Sequence, residues 1–137
     1  MGARSKARKR ALDMLYAADL RGESATDALE RAIEAGEGPT NAYTASLVRG
    51  VMDNVTRIDE LLADFSEGWT LERMPAVDRN VLRLGVWEIL YADDVPDAVA
   101  VSEAATLVRE LSTDDSPSFV NGILGAIQKQ KATLTQS

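Results

Sequence analysis

The chain has 137 residues, with 15 basic and 22 acidic side chains, a net charge of −7, and neither cysteine nor histidine. That composition removes disulfides, thiol nucleophiles, imidazole bases and the usual zinc ligands together, so an enzyme becomes the less favoured class and no metal or cofactor site is expected. No Gly-rich phosphate loop occurs in either common spacing, and no apolar run approaches the ~18 residues that span a bilayer.

The charge is unevenly placed. Residues 1–10 hold Arg4, Lys6, Arg8, Lys9 and Arg10 and no acid, which leaves 10 basic against 22 acidic residues in the rest of the chain. A basic tip on an acidic body points to a nucleic acid or an anionic membrane. The apolar stretch that follows is broken by Asp13 and Asp19, which rules out a secretory signal.

In chain order, every segment reads as helix, and none keeps a period-2 alternation between turn signals. The first helix is predicted over Arg4 to Leu20, with Ala7, Ala11, Met14, Leu15 and Ala18 inward and Gly22 ending it. Ser24 or Thr26 caps a second helix through about Glu34. After the breaker Ala35 to Thr40, Thr40 or Asn41 caps one long third helix to about Phe65, and Gly50 inside it marks a close helix crossing. Ser66 to Pro75 is a connection with one turn at Thr70 to Arg73. The helix from Ala76 to Ala92 is apolar round most of its circumference and should be central, with Trp87 and Tyr91 in the core. Another helix runs from Pro96 to Leu111. The last begins at Ser116, read as an N-cap, with Pro117 in its first turn. It buries Phe119, Val120, Ile123, Leu124 and Ile127, with Gly122 and Gly125 allowing close packing, and frays from Gln128. Asp114 and Asp115 are turn residues. The expected fold is all-α, with about seven helices.

The cations sit where folding gives no reason for them. A helix N-terminus carries partial positive charge, and each cation placed there costs about 0.3 kcal/mol or more at low salt. A phosphate strand would meet the cations and the helix dipole together. At ~100° per residue the five cations point nearly all round the helix, so the first turns are expected to protrude beyond the core. Tyr16, on a partly polar flank near Lys9, is a candidate platform for a base. Charge alone leaves RNA, DNA, a membrane surface or a solvated tail open. The membrane reading lacks interleaved large hydrophobes.

Four stretches together resemble the NusB family of bacterial transcription antitermination factors: Ala7 to Tyr16, Val77 to Leu84 followed by Trp87 to Leu90, Asp94 to Pro96 with Glu103–Ala104, and Asp115 to Leu124. The resemblance implies an all-α fold of two packed helical subdomains, residues 1–66 and 67–137, forming one RNA-binding domain, and an accessory protein of the elongating RNA polymerase, acting in the cytoplasm. It implies pairing with NusE, a protein of the small ribosomal subunit, to grip single-stranded boxA RNA in transcripts of ribosomal RNA operons. By position, Arg4, Lys6, Arg8, Lys9 and Arg10 match an arginine-rich RNA-binding motif, with Ser5 where other members carry arginine. Tyr16, Ser118 and Phe119 match further RNA-side positions. Asp78, Asn80 and Asp97 match the face offered to NusE, and Asp97 stands where some members have an aromatic. A homodimer is also compatible with the family. The alternatives are a NusB-like domain of an rRNA cytosine methyltransferase, and a helical protein-interaction module without RNA.

Overall fold

The computed structural model describes residues 2–135; Met1 of the basic segment, and Gln136 and Ser137 of the polar C-terminal end, lie outside the described residues. Among those described there are eight α-helices, one 3-10 turn and no strand. The helices are α1 (Ala3–Arg21), α2 (Ala25–Glu34), α3 (Ala42–Asp53), α4 (Val55–Phe65), α5 (Ala76–Tyr91), α6 (Asp97–Leu111), α7 (Ser116–Lys129) and α8 (Lys131–Leu134), with the 3-10 turn at Leu71–Arg73.

Local chemistry explains most boundaries. Gly22 closes α1 in the left-handed conformation, at φ 68°, where a side chain would be strained. The Ser24 side chain caps α2 by accepting from the backbone N–H of Asp27, and Asn41 caps α3 by accepting from that of Tyr43.

The expected single helix from residue 41 to Phe65 is instead two, broken at Asn54. In a continuous helix the N–H of Asn54 would bond the carbonyl of Gly50. Here the Asn54 side-chain amide takes that carbonyl at 2.8 Å, and the backbone N–H turns to Val51 O at 3.2 Å. An asparagine that competes for its own helix's acceptors disfavours continuation of the helix, and at φ −119° Asn54 leaves the helical range before α4 begins at Val55. At the other end of the chain, the expected fraying from Gln128 is not what the described residues do. α7 reaches Lys129, and α8 adds a turn whose Leu134 packs on the core.

Helix α5 is central, as its all-round apolar sequence requires. It packs against α1, α3, α4, α6 and α7. Its Val81, Leu82, Val86 and Ile89 are fully buried and join both halves of the chain in one continuous apolar core. Two glycines permit the closest crossings. A Cβ on Gly50 of α3 would lie 2.1 Å from the Trp87 indole, and one on Gly85 of α5 would lie 2.6 Å from Leu124. Gly50 is thus the crossing marker expected. Gly122 and Gly125 are not: a Cβ at either meets open space. Tyr91 is also further out than expected, 39% exposed.

Polar ties fix how α1 lies on α5. Asp19 accepts from Arg79 Nε and Asn80 Nδ2, each at 2.9 Å, and Arg83 reaches across to pair with Asp59 of α4 at 2.8 Å. Burial alone would raise the Asp19 carboxyl pKa, but the hydrogen bonds from Asn80 and Arg79 and the charges of Arg79 and Arg83 outweigh it and lower the value.

Two outcomes test this packing. Gly50→Ala is expected to destabilise the fold by about 1–3 kcal/mol through overpacking against Trp87. Gly122→Ala should stabilise it by up to about 1 kcal/mol through helix propensity. Urea unfolding midpoints check both. The depressed Asp19 pKa contributes stability that is present above its ordinary value of 3.8 and is lost as pH falls through the lower folded value. Asp19→Asn should therefore flatten the acid limb of a Tm–pH curve below about pH 4 while lowering Tm at pH 7.

Candidate nucleic-acid interface

The five N-terminal cations do not form one cluster; helix periodicity sorts them onto opposite faces of α1. At about 100° per residue, Lys6, Lys9 and Arg10 share an arc with Asp13, Tyr16, Ala17 and Leu20 that is roughly 120° wide. Lys6, Lys9, Arg10, Asp13, Tyr16 and Leu20 are all exposed, and among the described residues none of the three cations pairs with a carboxylate. Arg4 and Arg8 point the other way, toward the body.

Arg8 was expected to contact RNA, in turns protruding beyond the core. It is instead buried, its side chain 5% exposed. Its Nε donates to both carboxylate oxygens of Glu88 on α5, at 2.9 and 3.0 Å, and Nη1 lies 3.3 Å from Glu103 of α6. The Tyr43 hydroxyl donates to the second oxygen of Glu88, and the Ser5 hydroxyl donates to Glu103 at 2.6 Å. Burial disfavours the Arg8 charge, but Glu88 and Glu103 outweigh it and raise the guanidinium pKa. Burial, and then the Glu88 carboxylate, also push the Tyr43 phenol upward, so it stays a donor. The physical reason for the correction is an acid that the sequence places eighty positions away. With Glu88 buried beside it, an inward arginine is paired rather than stranded.

Arg4 lies between the two groups. It stacks 4.2 Å from the centre of the Tyr43 ring and bonds Asp94 at 2.7 Å, while its side chain remains 44% exposed. An exposed pair of this kind is weak and screened by salt, so Arg4 can exchange Asp94 for a phosphate.

Beside the open face runs a groove of about 490 Å³ between α1 and the segment before α3. Lys6 and Arg10 stand on one side, with Gly38, Pro39, Thr40 and Asn41 on the other. Sequence reasoning missed this wall, which has no charged residue to mark it.

Ser118 and Phe119 fall elsewhere. They lie in the first turn of α7, which packs on α4, α5 and α6, whereas α1 packs on α2, α3 and α5. Ser118 is exposed, and Phe119, partly buried, meets Trp69 edge-on at 6.2 Å. Trp69 is 54% exposed, and the two aromatics line hollows of about 210 and 360 Å³. Trp69 is the functional candidate that periodicity could not supply, because it sits in an irregular connection.

The expected partner face is also corrected. Asp78 and Asn80 are buried, not offered to solvent. Asp78 accepts from Ser112 at 2.6 Å and from Ser116 at 2.8 Å, fixing the α6–α7 turn onto α5. Ser116 is therefore not the helix cap expected; its hydroxyl donates to Asp78 and accepts from the Thr113 N–H. Asn80 donates to Asp19 and to Ala76 O. Asp97 is half-buried and paired with Lys131 at 2.9 Å. Asp78 and Asn80 are committed internally because each lies where α5 meets a neighbouring helix, and a helical wheel cannot show that. No metal-binding group of acids occurs among the described residues, and no helix there is long and apolar enough to cross a membrane.

The NusB family model matches residues 5–129. The transcription antitermination protein NusB of a Nocardioides species is 72% identical over 134 residues, covering 98% of this chain and 99% of that protein. NusB of Saccharopolyspora erythraea is 62% identical, covering 93% of this chain and 87% of its own. Among solved structures, T. maritima NusB superposes with a TM-score of 0.84 at 33% identity, covering 96% of this chain and 94% of that one. A complex of the antitermination factors NusB and NusE with dsRNA gives 0.78 at 29% identity, covering 92% and 96%. The chain belongs to the NusB family.

The buried pair makes a sharp prediction for the site's frame. Glu88→Leu and Arg8→Met, each alone, should cost about 3–5 kcal/mol, because each strands a buried charge. Together they should recover much of the loss, since an apolar pair of similar volume is often neutral. A urea-unfolding double-mutant cycle measures this; additive losses would contradict the pairing.

Proposed function

We propose that this member of the NusB family is an RNA-binding antitermination factor. On this reading it grips single-stranded boxA-type RNA together with NusE, in nascent transcripts of ribosomal RNA operons, as part of the RNA polymerase elongation complex. The observation that carries the reading is the open face of α1: among the described residues Lys6, Lys9 and Arg10 are exposed and ion-paired with no carboxylate, on a chain whose other residues carry a net negative charge. Neutralising three phosphates releases counterions and gives affinity without base readout. Tyr16 on the same face offers a ring for one base.

Arg4, on the opposite side of α1, adds a phosphate contact of its own when a phosphate displaces Asp94. Arg8 acts as a positioning residue, holding the helix that carries the others. Ser118 and Phe119, with Trp69, supply a second, aromatic hollow for an unstacked base. The acidic body suits a basic ribosomal-type partner such as NusE, by charge complementarity that speeds and orients docking. A relative was crystallised as NusB with NusE and dsRNA, which supports both partner classes. The methyltransferase-domain reading is less well supported, because the Nocardioides relative, covered over 99% of its length, is itself an antitermination protein.

Gel shifts with a boxA-type RNA oligonucleotide, with and without NusE, test the proposal. Three free cations predict a log–log salt slope of roughly −2, at about −0.7 per phosphate for single strands. The Lys6, Lys9, Arg10 triple alanine variant should bind far more weakly, flatten that slope and keep its unfolding midpoint. RNA affinity unchanged in that variant would overturn the reading.

A further inference from the structure

We propose that the groove between α1 and residues 38–44 seats one ribose–phosphate unit of a single RNA strand, so that the segment before α3 is part of the RNA-binding surface. This rests on the reading that the open face of α1 binds RNA, and it names where on that face the strand passes.

The groove has the right charge. Lys6 and Arg10, one helical turn apart, flank it, and none of its nine lining residues is acidic, although the chain carries 22 acids. It is also wide enough for a sugar and its phosphate, at about 490 Å³. Two positive side chains four residues apart on a helix repel, at a cost of a few tenths of a kcal/mol, and an anion between them removes that cost.

The groove is preformed. The Asn41 amide donates to Ala3 O at 3.3 Å, and the Thr44 hydroxyl donates to Ala7 O at 3.0 Å, so two side chains clamp its far wall to α1. Asn41 also caps α3 through the Tyr43 N–H, which fixes its own rotamer. Gly38 lies close on Ile33, where a Cβ would fall 2.8 Å from Ile33 Cγ1, so a larger residue there would displace this wall. A rigid wall lowers the ordering cost of binding.

The polar groups match a ribose. Thr40 is exposed on the wall, and its hydroxyl can donate to or accept from a 2′-hydroxyl, while Pro39 gives an apolar surface for the sugar ring. Lys6 and Arg10 then take the phosphate from the opposite side. A lone anion would need only the cations; the neutral polar and apolar wall is what selects a nucleotide unit.

The experiment uses the full chain and a boxA-type RNA carrying 4-thiouridine, with cross-linked peptides mapped after irradiation. In parallel, Thr40→Glu is compared with Thr56→Glu, which adds the same charge at an exposed position on α4. The inference expects cross-links within residues 38–44 and about a tenfold or greater loss of affinity for Thr40→Glu, with Thr56→Glu within about twofold of the parent. The parent binding RNA with its salt dependence intact, while Thr40→Glu matches Thr56→Glu and cross-links avoid residues 38–44, would overturn this groove and leave the proposed function standing. Failure of the parent itself to bind would overturn both.

Discussion

The ion pair between Arg8 and Glu88 is the constraint around which the rest of the molecule is arranged. A guanidinium and a carboxylate, both nearly inaccessible, meet through two hydrogen bonds, with Tyr43 and Glu103 completing the set. Taking both charges out of water costs several kcal/mol per ion, and only well-aligned partners offset it. Arginine suits the position because one guanidinium reaches two acids, with Nε on Glu88 and Nη1 near Glu103. That pairing, together with the buried apolar stripe of Ala7, Ala11, Leu15 and Ala18 and the Asp19 ties, sets the rotation of α1 about its own axis. With Arg8 held inward, the helical period turns Lys6, Lys9 and Arg10 outward together. The buried pair therefore creates the open cationic face even though Arg8 is not on it. The same rotation carries the α1 side of the neighbouring groove into position.

The all-α class, the central α5, the caps at Ser24 and Asn41 and the crossing at Gly50 were legible in the sequence. Each depends on residues close together in the chain, or on one residue type with one strong preference. What was not legible depends on contacts between distant positions. Arg8 reads as one of five equivalent cations until Glu88 is known to lie beside it. Asp78 and Asn80 read as a charge and an amide on a helix surface. Their burial becomes visible only when Ser112, Ser116 and Asp19 are found on the helices packed over them. Family likeness did not correct this, since it transfers a role to a position and says nothing of which atoms already satisfy that side chain. Asn54 is an intermediate case. Asparagine is a poor interior helix residue, but that its amide would take the Gly50 carbonyl, and so split one helix into two, is a matter of local geometry.

The polarity of the molecule follows from this sorting of charges. With Arg8 consumed inside and Arg4 shared with Asp94, the formal count of five cations in residues 1–10 overstates what meets a ligand. Three free cations form a small positive field on an acidic body, and acids elsewhere on the surface repel a phosphate chain that strays from it. Such an arrangement favours register over raw affinity. On the proposed function a strand would be drawn to one stripe of α1, while the net negative charge of the rest of the chain discourages other tracks.

This balance also explains why a second protein is useful. Three phosphates neutralised on a single strand yield modest binding at physiological salt. Adding cations to α1 would raise affinity for every RNA equally, because phosphate contacts carry no sequence information. A basic partner docked on the acidic body does something different. On the proposed function it would cover carboxylates that oppose the RNA and add its own contacts to the same strand, so the two proteins would bind as linked sites whose combined affinity exceeds either alone. On this view the excess of acid serves the same function as the basic face: it keeps the chain weak on RNA by itself and makes tight binding conditional on the partner.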